Sequence, residues 1–177
     1  MNPEEIIQKY YKKGSDLYEI LLGHGLSVAD KAMSISRLHP EMGLDNSFIF
    51  EAAVLHDIGI FQTYSPKIHC FGTHPYVCHG YLGSELLKRE GFPRHALVCE
   101  RHTGTGISLQ RIIGDDLPLP HRDMQPQSME EQLICFADKF FSKSHPAKEK
   151  EIGKIRSKLS KRGQVEKFDE WCRLFLE

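Results

Sequence analysis

The chain has 177 residues, 40% of them hydrophobic, and a formal net charge of −1. That length suits one domain able to bury a core without disulfides or a structural metal. The near-neutral charge gives no ground for a nucleic-acid partner or an anionic membrane surface, and no run approaches the apolar length that spans a bilayer.

Met1 to Lys13 lacks the basic start and apolar run of a signal peptide, so the cytoplasm is the expected location. Pro3 suits the first turn of a helix, which is predicted to run through Leu22 until Gly23 and Gly25 break it. A second helix is predicted from about Leu26 to Leu38, with Val28, Ala32, Ile35 and Leu38 roughly on one face, ended by His39-Pro40. Asp45 or Asn46 can cap a third helix through His56, closed by Gly59. Thr63 to Pro75 reads as the longest irregular stretch, between two His-bearing segments, and loops of that length in a compact domain are often functional. A fourth helix covers about Tyr76 to Glu90. A fifth begins at Pro93, passes Arg101 and stops at Thr103-Gly104. Gly114 to Gln127 is polar and Pro-rich. Ser128, with Glu130 and Glu131 behind it, opens a helix through Phe140. Beyond Pro146 two further helices reach the C-terminus, and the basic, amphipathic run from Lys148 to Arg162 has the pattern of a solvated helical face. No repeat and no strand run stands out, so the expected fold is an all-α bundle with one core. The five cysteines, without a close CxxC, are expected to be reduced and mostly buried.

The ten histidines are the unusual count, because histidine is both the commonest metal ligand and the usual proton shuttle near neutral pH. His56-Asp57 follows the apolar Ala52-Ala53-Val54-Leu55, and Asp138 ends the apolar Leu133 to Ala137. Charge at the end of a buried helix needs a partner or a metal. With His24, these residues make a mixed nitrogen and oxygen set that suits first-row metals better than calcium. His79 stands before Gly80 and Gly83, where small residues allow close helix approach, and His102 ends the fifth helix. If Asp57 bridges, these two histidines can serve a second metal. His39, His95, His121 and His145 lie beside prolines or charges and read as surface residues, while the loop carrying His69 and His74 could reach the site.

The order His24, His56-Asp57, Asp138 resembles the HD-domain superfamily of metal-dependent phosphohydrolases, and His56-Asp57-Ile58-Gly59 resembles its HDIG variant. His79-Gly80-x-x-Gly83 and Arg101-His102-Thr103-Gly104 resemble its six-ligand, dinuclear subgroup. The likeness spans about Gly23 to Ser142. It implies a single HD domain over residues 1–177, an all-α helical bundle with its core at about 23–142 and C-terminal helices at 147–177. It also implies a first metal at His24, His56, Asp57 and Asp138, and a second at His79 and His102 with Asp57 shared and catalytic. One or two divalent transition metals are implied, drawn from Fe, Mn, Zn, Ni and Co. The reaction implied is hydrolysis of a phosphoester or phosphoanhydride in a small, nucleotide-type substrate by a metal-activated hydroxide. Many relatives carry Lys or Arg after HDIG, where this chain has Ile60. Arg101, Lys139 and Lys143 are the candidate substrate-binding replacements, each of which could instead be a solvent-facing charge. The GYP signature of cyclic-dinucleotide phosphodiesterases is absent.

Two other classes are compatible with these residues. One is an HD-type di-iron oxygenase acting on a small organic substrate, to which the missing cation at Ile60 is suited. The other is a non-catalytic ligand sensor, against which the full ligand set argues. Pairing of two copies through the C-terminal helices is compatible with the sequence. The pocket rim is expected from Thr63 to Pro75 and from Gly114 to Gln127.

Overall fold

The Asn2 side chain accepts a hydrogen bond from the Glu4 amide and opens α1 (Pro3–Gln8), but this helix does not continue to Leu22. In the computed structural model, which describes residues 1–177, the chain turns at Gly14, where φ is +76°. Ser15 then caps a new helix by accepting from the Tyr18 amide. That helix, α2 (Asp16–Leu38), runs unbroken through Gly23 and Gly25, the residues expected to separate two helices. The reason is packing. A β-carbon on Gly25 would stand 2.7 Å from the carbonyl oxygen of Val54 and 3.0 Å from its Cα, in the neighbouring α3 (Asn46–Leu55). Gly25 therefore marks the place where two helix backbones touch, and His24 lies inside a helix rather than at the start of one.

Asp45 caps α3 by accepting from the Phe48 amide, and the helix ends at Leu55, one turn before Gly59. Phe48, Ile49 and Ala52 to Leu55 are all buried, so His56 and Asp57 emerge inside the molecule. The stretch after Thr63 contains two short strands that the sequence reading did not include. In these, β1 (Tyr64–Ser65) pairs antiparallel with β2 (Cys70–Phe71), Tyr64 opposite Phe71. Strands of two residues are too short to show an alternating pattern. Two helices then pack closely, α4 (His79–Arg89) and α5 (Pro93–Arg101), separated by Gly91 at φ +87°.

A further helix, α6 (Leu109–Gly114), is also absent from the sequence reading; Ser108 caps it by accepting from the Arg111 amide. The Pro-rich segment after it folds back, with Met124 and Ile107 exchanging backbone hydrogen bonds of 2.9 and 3.0 Å. Leu119 and Met124 are thereby buried against Ile112 and Cys78 in a small satellite cluster.

The centre of the molecule is α7 (Met129–Asp138). Leu133 to Ala137 are all fully buried, because α2, α3 and α5 pack around this helix and α9 (Val165–Leu176) covers its remaining side. From α9, Phe168 and Phe175 place their rings 5.3 and 5.4 Å from that of Phe136, and Trp171 donates its indole N–H to Gln132 at 3.0 Å. Between them, α8 (Ile152–Ser160) buries Ile155 and Leu159. Four of the five cysteines are buried and all are free thiols. No helix is long and apolar enough to cross a membrane.

Helix propensity and packing make opposite demands at two glycines. Alanine is favoured over glycine by about 1 kcal/mol inside a helix, and Gly153 of α8 has nothing within 4 Å of a β-carbon. Gly153→Ala is expected to raise unfolding free energy by up to about 1 kcal/mol. Gly25→Ala is expected to lower it by roughly 1–3 kcal/mol, the range for forcing atoms into a packed interior. Urea denaturation of the two variants checks the pair, and a stabilised Gly25→Ala protein would mean that α2 and α3 do not touch there.

Candidate metal centre

Five segments deliver six side chains to one point. His24 comes from the middle of α2, His56 and Asp57 follow α3, His79 opens α4, His102 follows α5, and Asp138 ends α7. His24 Nε2 lies 2.9 Å from Asp138 Oδ1 and 3.3 Å from Asp57 Oδ2. His56 Nε2 lies 3.0 Å from Asp57 Oδ2 and 3.4 Å from Asp138 Oδ1. The other oxygen of Asp57, Oδ1, faces His79 Nε2 at 3.4 Å and His102 Nε2 at 3.3 Å. The two oxygens of one carboxylate thus face two different pairs of imidazoles. His24, His56, Asp57 and Asp138 form one group whose ligand atoms lie within 4.8 Å of one another, and Asp57, His79 and His102 form a second.

Local structure sets these positions. A β-carbon on Gly80 would meet the carbonyl oxygen of Cys99 at 2.5 Å, so α4 lies directly on α5 and His79 comes beside His102. The imidazoles are oriented by the main chain. Nδ1 of His56, His79 and His102 lies 2.6, 2.7 and 2.7 Å from the carbonyl oxygens of Ala53, Tyr76 and Cys99. In each case the partner is three residues earlier. A carbonyl only accepts, so Nδ1 carries the proton and Nε2 faces the centre.

Burial pushes the pKa of His79 down to about 3 and lowers that of His102. Both rings are therefore neutral at pH 7, and their two Nε2 lone pairs face each other at 3.1 Å. Lone pairs that close repel unless a cation lies between or beside them. Burial also opposes charge on His56, yet the neighbouring Asp57 and Asp138 outweigh it and hold that pKa up at about 10. Desolvation acts to raise both carboxyls, but Lys143 with His56 keeps Asp57 ionised, and Lys139 with His24 keeps Asp138 ionised, each well below the usual carboxylate range. His56 Nε2 and both oxygens of Asp57 are buried and make no hydrogen bond of good geometry. Such orphaned polar atoms are rare in folded proteins, and a divalent cation that displaces the Nε2 proton of His56 satisfies all three. The donor set, imidazole with carboxylate, fits a first-row transition metal.

The three candidate substrate-binding residues separate. Lys139 Nζ contacts Asp138 Oδ2 at 2.6 Å and the carbonyl of His102 at 3.0 Å, and Lys143 Nζ reaches Asp57 Oδ2 at 2.6 Å. Arg101 does not come to the site. Its guanidinium is held by Glu131 of α7 at 2.9 Å, a partner thirty positions away that no local pattern reveals. Ile60 is fully buried in the core, so a cation is not missing from the cavity wall at that position. His69 pairs with exposed Asp16 at 3.6 Å, and neither it nor His74 lines the site.

A cavity of about 470 Å³ opens onto His24, His79, His102 and Asp138. Ser65, Lys67 and Ile68 form part of its rim, as expected of that loop. Gly114 to Gln127 contributes nothing to it, because its apolar residues are committed to the satellite cluster. Sequence reasoning missed Tyr76, whose ring stacks on His79 with centroids 4.6 Å apart. It also missed that Lys150, Lys154, Lys158 and Arg162 line this same cavity. Their four-residue spacing, beside the buried Ile155 and Leu159, was the available signal for one shared face. A second recess of similar volume lies on the far side of Arg162, bordered by Ser108, Gln164 and Glu170, and touches none of the six clustered residues.

Residues 21–142 match the family model described as HD domain. Over 147 residues the chain is 30% identical to an uncharacterized protein of Methanocaldococcus jannaschii, covering 81% of this chain and 78% of that one. It is 29% identical to a tRNA (cytidine(56)-2'-O)-methyltransferase of Thermoplasma volcanium and 28% identical to that of Picrophilus torridus, over 75% and 73% of this chain. It spans only 34% of either methyltransferase. Among solved structures, the HD domain of the phosphodiesterase PgpH of L. monocytogenes shares the fold with a TM-score of 0.56 at 17% identity, over 92% of this chain and 87% of that one.

The neutral histidines set a pH dependence for the metal-free protein. His79 has a folded pKa near 3 against an ordinary 6.5, so the unfolded chain binds its proton first as pH falls. The stability it contributes is present above about 6.5 and is lost as pH drops toward 3. His102 acts in the same direction. Urea denaturation of chelator-treated protein should show stability falling from pH 6.5 to 4, with a shallower slope for His79→Gln. An unchanged slope in the variant would show that His79 is not held neutral.

Proposed function

The chain belongs to the HD-domain family, and from that premise we propose that it is a metal-dependent phosphohydrolase of the HDIG type with a dinuclear centre. Its substrate is a small phosphorylated molecule of the nucleotide type. Residues of about 23–142 would form the HD core and 147–177 its C-terminal helices. The observation that carries this reading is the divided carboxylate of Asp57, with one oxygen toward His24 and His56 and the other toward His79 and His102, beside a cavity whose walls are rich in lysine.

His24, His56, Asp57 and Asp138 would hold the first metal, and His79 and His102 the second, with Asp57 common to both. Divalent metals in such a site make a water ligand acidic near neutral pH and neutralise charge on phosphoryl oxygens. The chain's own residues do the rest. Backbone carbonyls at Ala53, Tyr76 and Cys99 fix three imidazoles with Nε2 inward, so no reorientation is needed on binding. Asp57, 1% exposed, is shielded from solvent, while Asp138, 14% exposed, is the carboxylate that borders the cavity. Lys139 and Lys143 set their ammonium groups between the ligand carboxylates and the cavity, where they meet the oxygens of an arriving phosphate. The cationic walls support an anionic substrate.

Elemental analysis of freshly purified protein, followed by a phosphate-release screen over nucleotides and simple phosphoesters, tests the reading. Close to two transition-metal ions per chain are expected, falling toward one in His79→Ala. Asp57→Ala is expected to lose metal and more than about 100-fold in activity, since changes outside the ligand shell alone cost 10–100-fold in such sites. An Asp57→Ala protein with full metal content and full turnover would remove its bridging role. Iron-loaded protein that releases no phosphate but consumes dioxygen with a small organic substrate would replace the hydrolase reading with an oxygenase.

A further inference from the structure

The cavity extends past the metal cluster along α8, and its far wall carries charge that the six clustered residues do not use. Lys154 and Lys158 stand one turn apart on α8, about 6 Å along its axis, and Arg162 follows just beyond the helix end; all three line the cavity. The surrounding cations have partners. Lys150 Nζ is held by the carbonyls of Phe141 and Lys139, Lys154 pairs with Glu151 at 3.6 Å, and Arg156 pairs with Asp169 at 2.8 Å. Lys158 and Arg162 form no ion pair, and neither does Lys67, which lines the same cavity. The only carboxylate in the cavity wall is Asp138, which already contacts His24 and Lys139. Unpaired like charges gathered in one concave surface repel each other and focus a positive potential into it. Partial burial first, and then the nearby Arg162 and Lys139, lower the pKa of Lys158.

We propose that Lys158 and Arg162, with Lys67 of the same cavity wall, form a second anion subsite that holds a further phosphate group of the substrate, apart from the one that reacts at the metal cluster. The proposal rests on the phosphohydrolase reading and narrows it to substrates with at least two phosphate groups. One phosphate fits the metal cluster with Lys139 and Lys143. The unpaired cations along and beyond α8 are left over, and another anionic group on the same molecule would neutralise them. The further phosphate belongs either to the same phosphate chain or to a separate position on a sugar; the subsite chemistry is common to both.

The test is binding, read without turnover. Chelator-treated protein is titrated by calorimetry with tripolyphosphate and with adenosine 3′,5′-bisphosphate, and each is compared with orthophosphate. Wild type is expected to bind one or both at least about tenfold more tightly than orthophosphate. Lys158→Glu/Arg162→Glu, at two exposed positions, is expected to abolish that advantage. Lys12→Glu/Arg37→Glu changes the net charge equally at exposed positions outside the cavity and is expected to stay within twofold of wild type. A preference for tripolyphosphate places the further phosphate in the same chain, and a preference for the bisphosphate places it apart. Equal loss in both double variants, or wild type that binds neither probe more tightly than orthophosphate, overturns the subsite. Metal content measured on the purified proteins before chelator treatment keeps the two readings separate. Before that treatment Lys158→Glu/Arg162→Glu should carry wild-type metal, whereas purified proteins that all lack metal would sink the phosphohydrolase reading while the anion titration still decides the subsite.

Discussion

A carboxylate withdrawn from water among four imidazoles governs this structure. Asp57 is 1% exposed, and an isolated charge so placed would cost far more than the few kcal/mol by which a domain is stable. The fold answers by converging on it. α2 and α3 touch backbone to backbone at Gly25, α4 lies on α5 at Gly80, and α7 ends with Asp138 facing the same point. Each close approach brings a nitrogen or an oxygen to the cluster. The apolar core supplies the stability that tolerates this polar centre, and the centre in turn dictates where the helices must meet.

Charge is arranged in layers outward from that point. Innermost are the ligand atoms, next the ammonium groups of Lys139 and Lys143 against Asp138 and Asp57, and outermost the cations contributed by α8 and the loop around Lys67. The chain as a whole is nearly neutral, so this local positive field is balanced elsewhere on the surface. Bulk charge therefore describes the molecule poorly as a partner for anions. A cleft with low-dielectric walls acts on a ligand through its own lining more than through the net charge.

The helical class and the six clustered residues were legible because they rest on local contrasts. An aspartate at the end of Leu133 to Ala137, or a histidine and aspartate after Ala52 to Leu55, is conspicuous in apolar surroundings. The glycines of α2 misled for a related reason. Glycine signals both a helix end and a close contact, and the contact that decides between them, with Val54, is remote in sequence. Arg101 was read as a free cation since its partner Glu131 lies thirty residues on. The satellite cluster was hidden by prolines and polar residues around Leu119 and Met124, which made a packed segment look like a rim. The run from Lys148 to Arg162 was read as a solvated helical face, and a helical pattern does not say whether such a face looks onto bulk solvent or into a cleft.

The orientation of His56, His79 and His102 by carbonyls three residues upstream has a consequence for how the centre withstands mutation. Where a histidine is steered by a second side chain, one substitution removes the steering and weakens the site. Here the acceptor is the peptide itself, present whatever residue occupies position 53, 76 or 99. The geometry of three ligands is thus inherited with the helical turn that carries each of them, and sequence drift at the supporting positions leaves it intact as long as the turn survives.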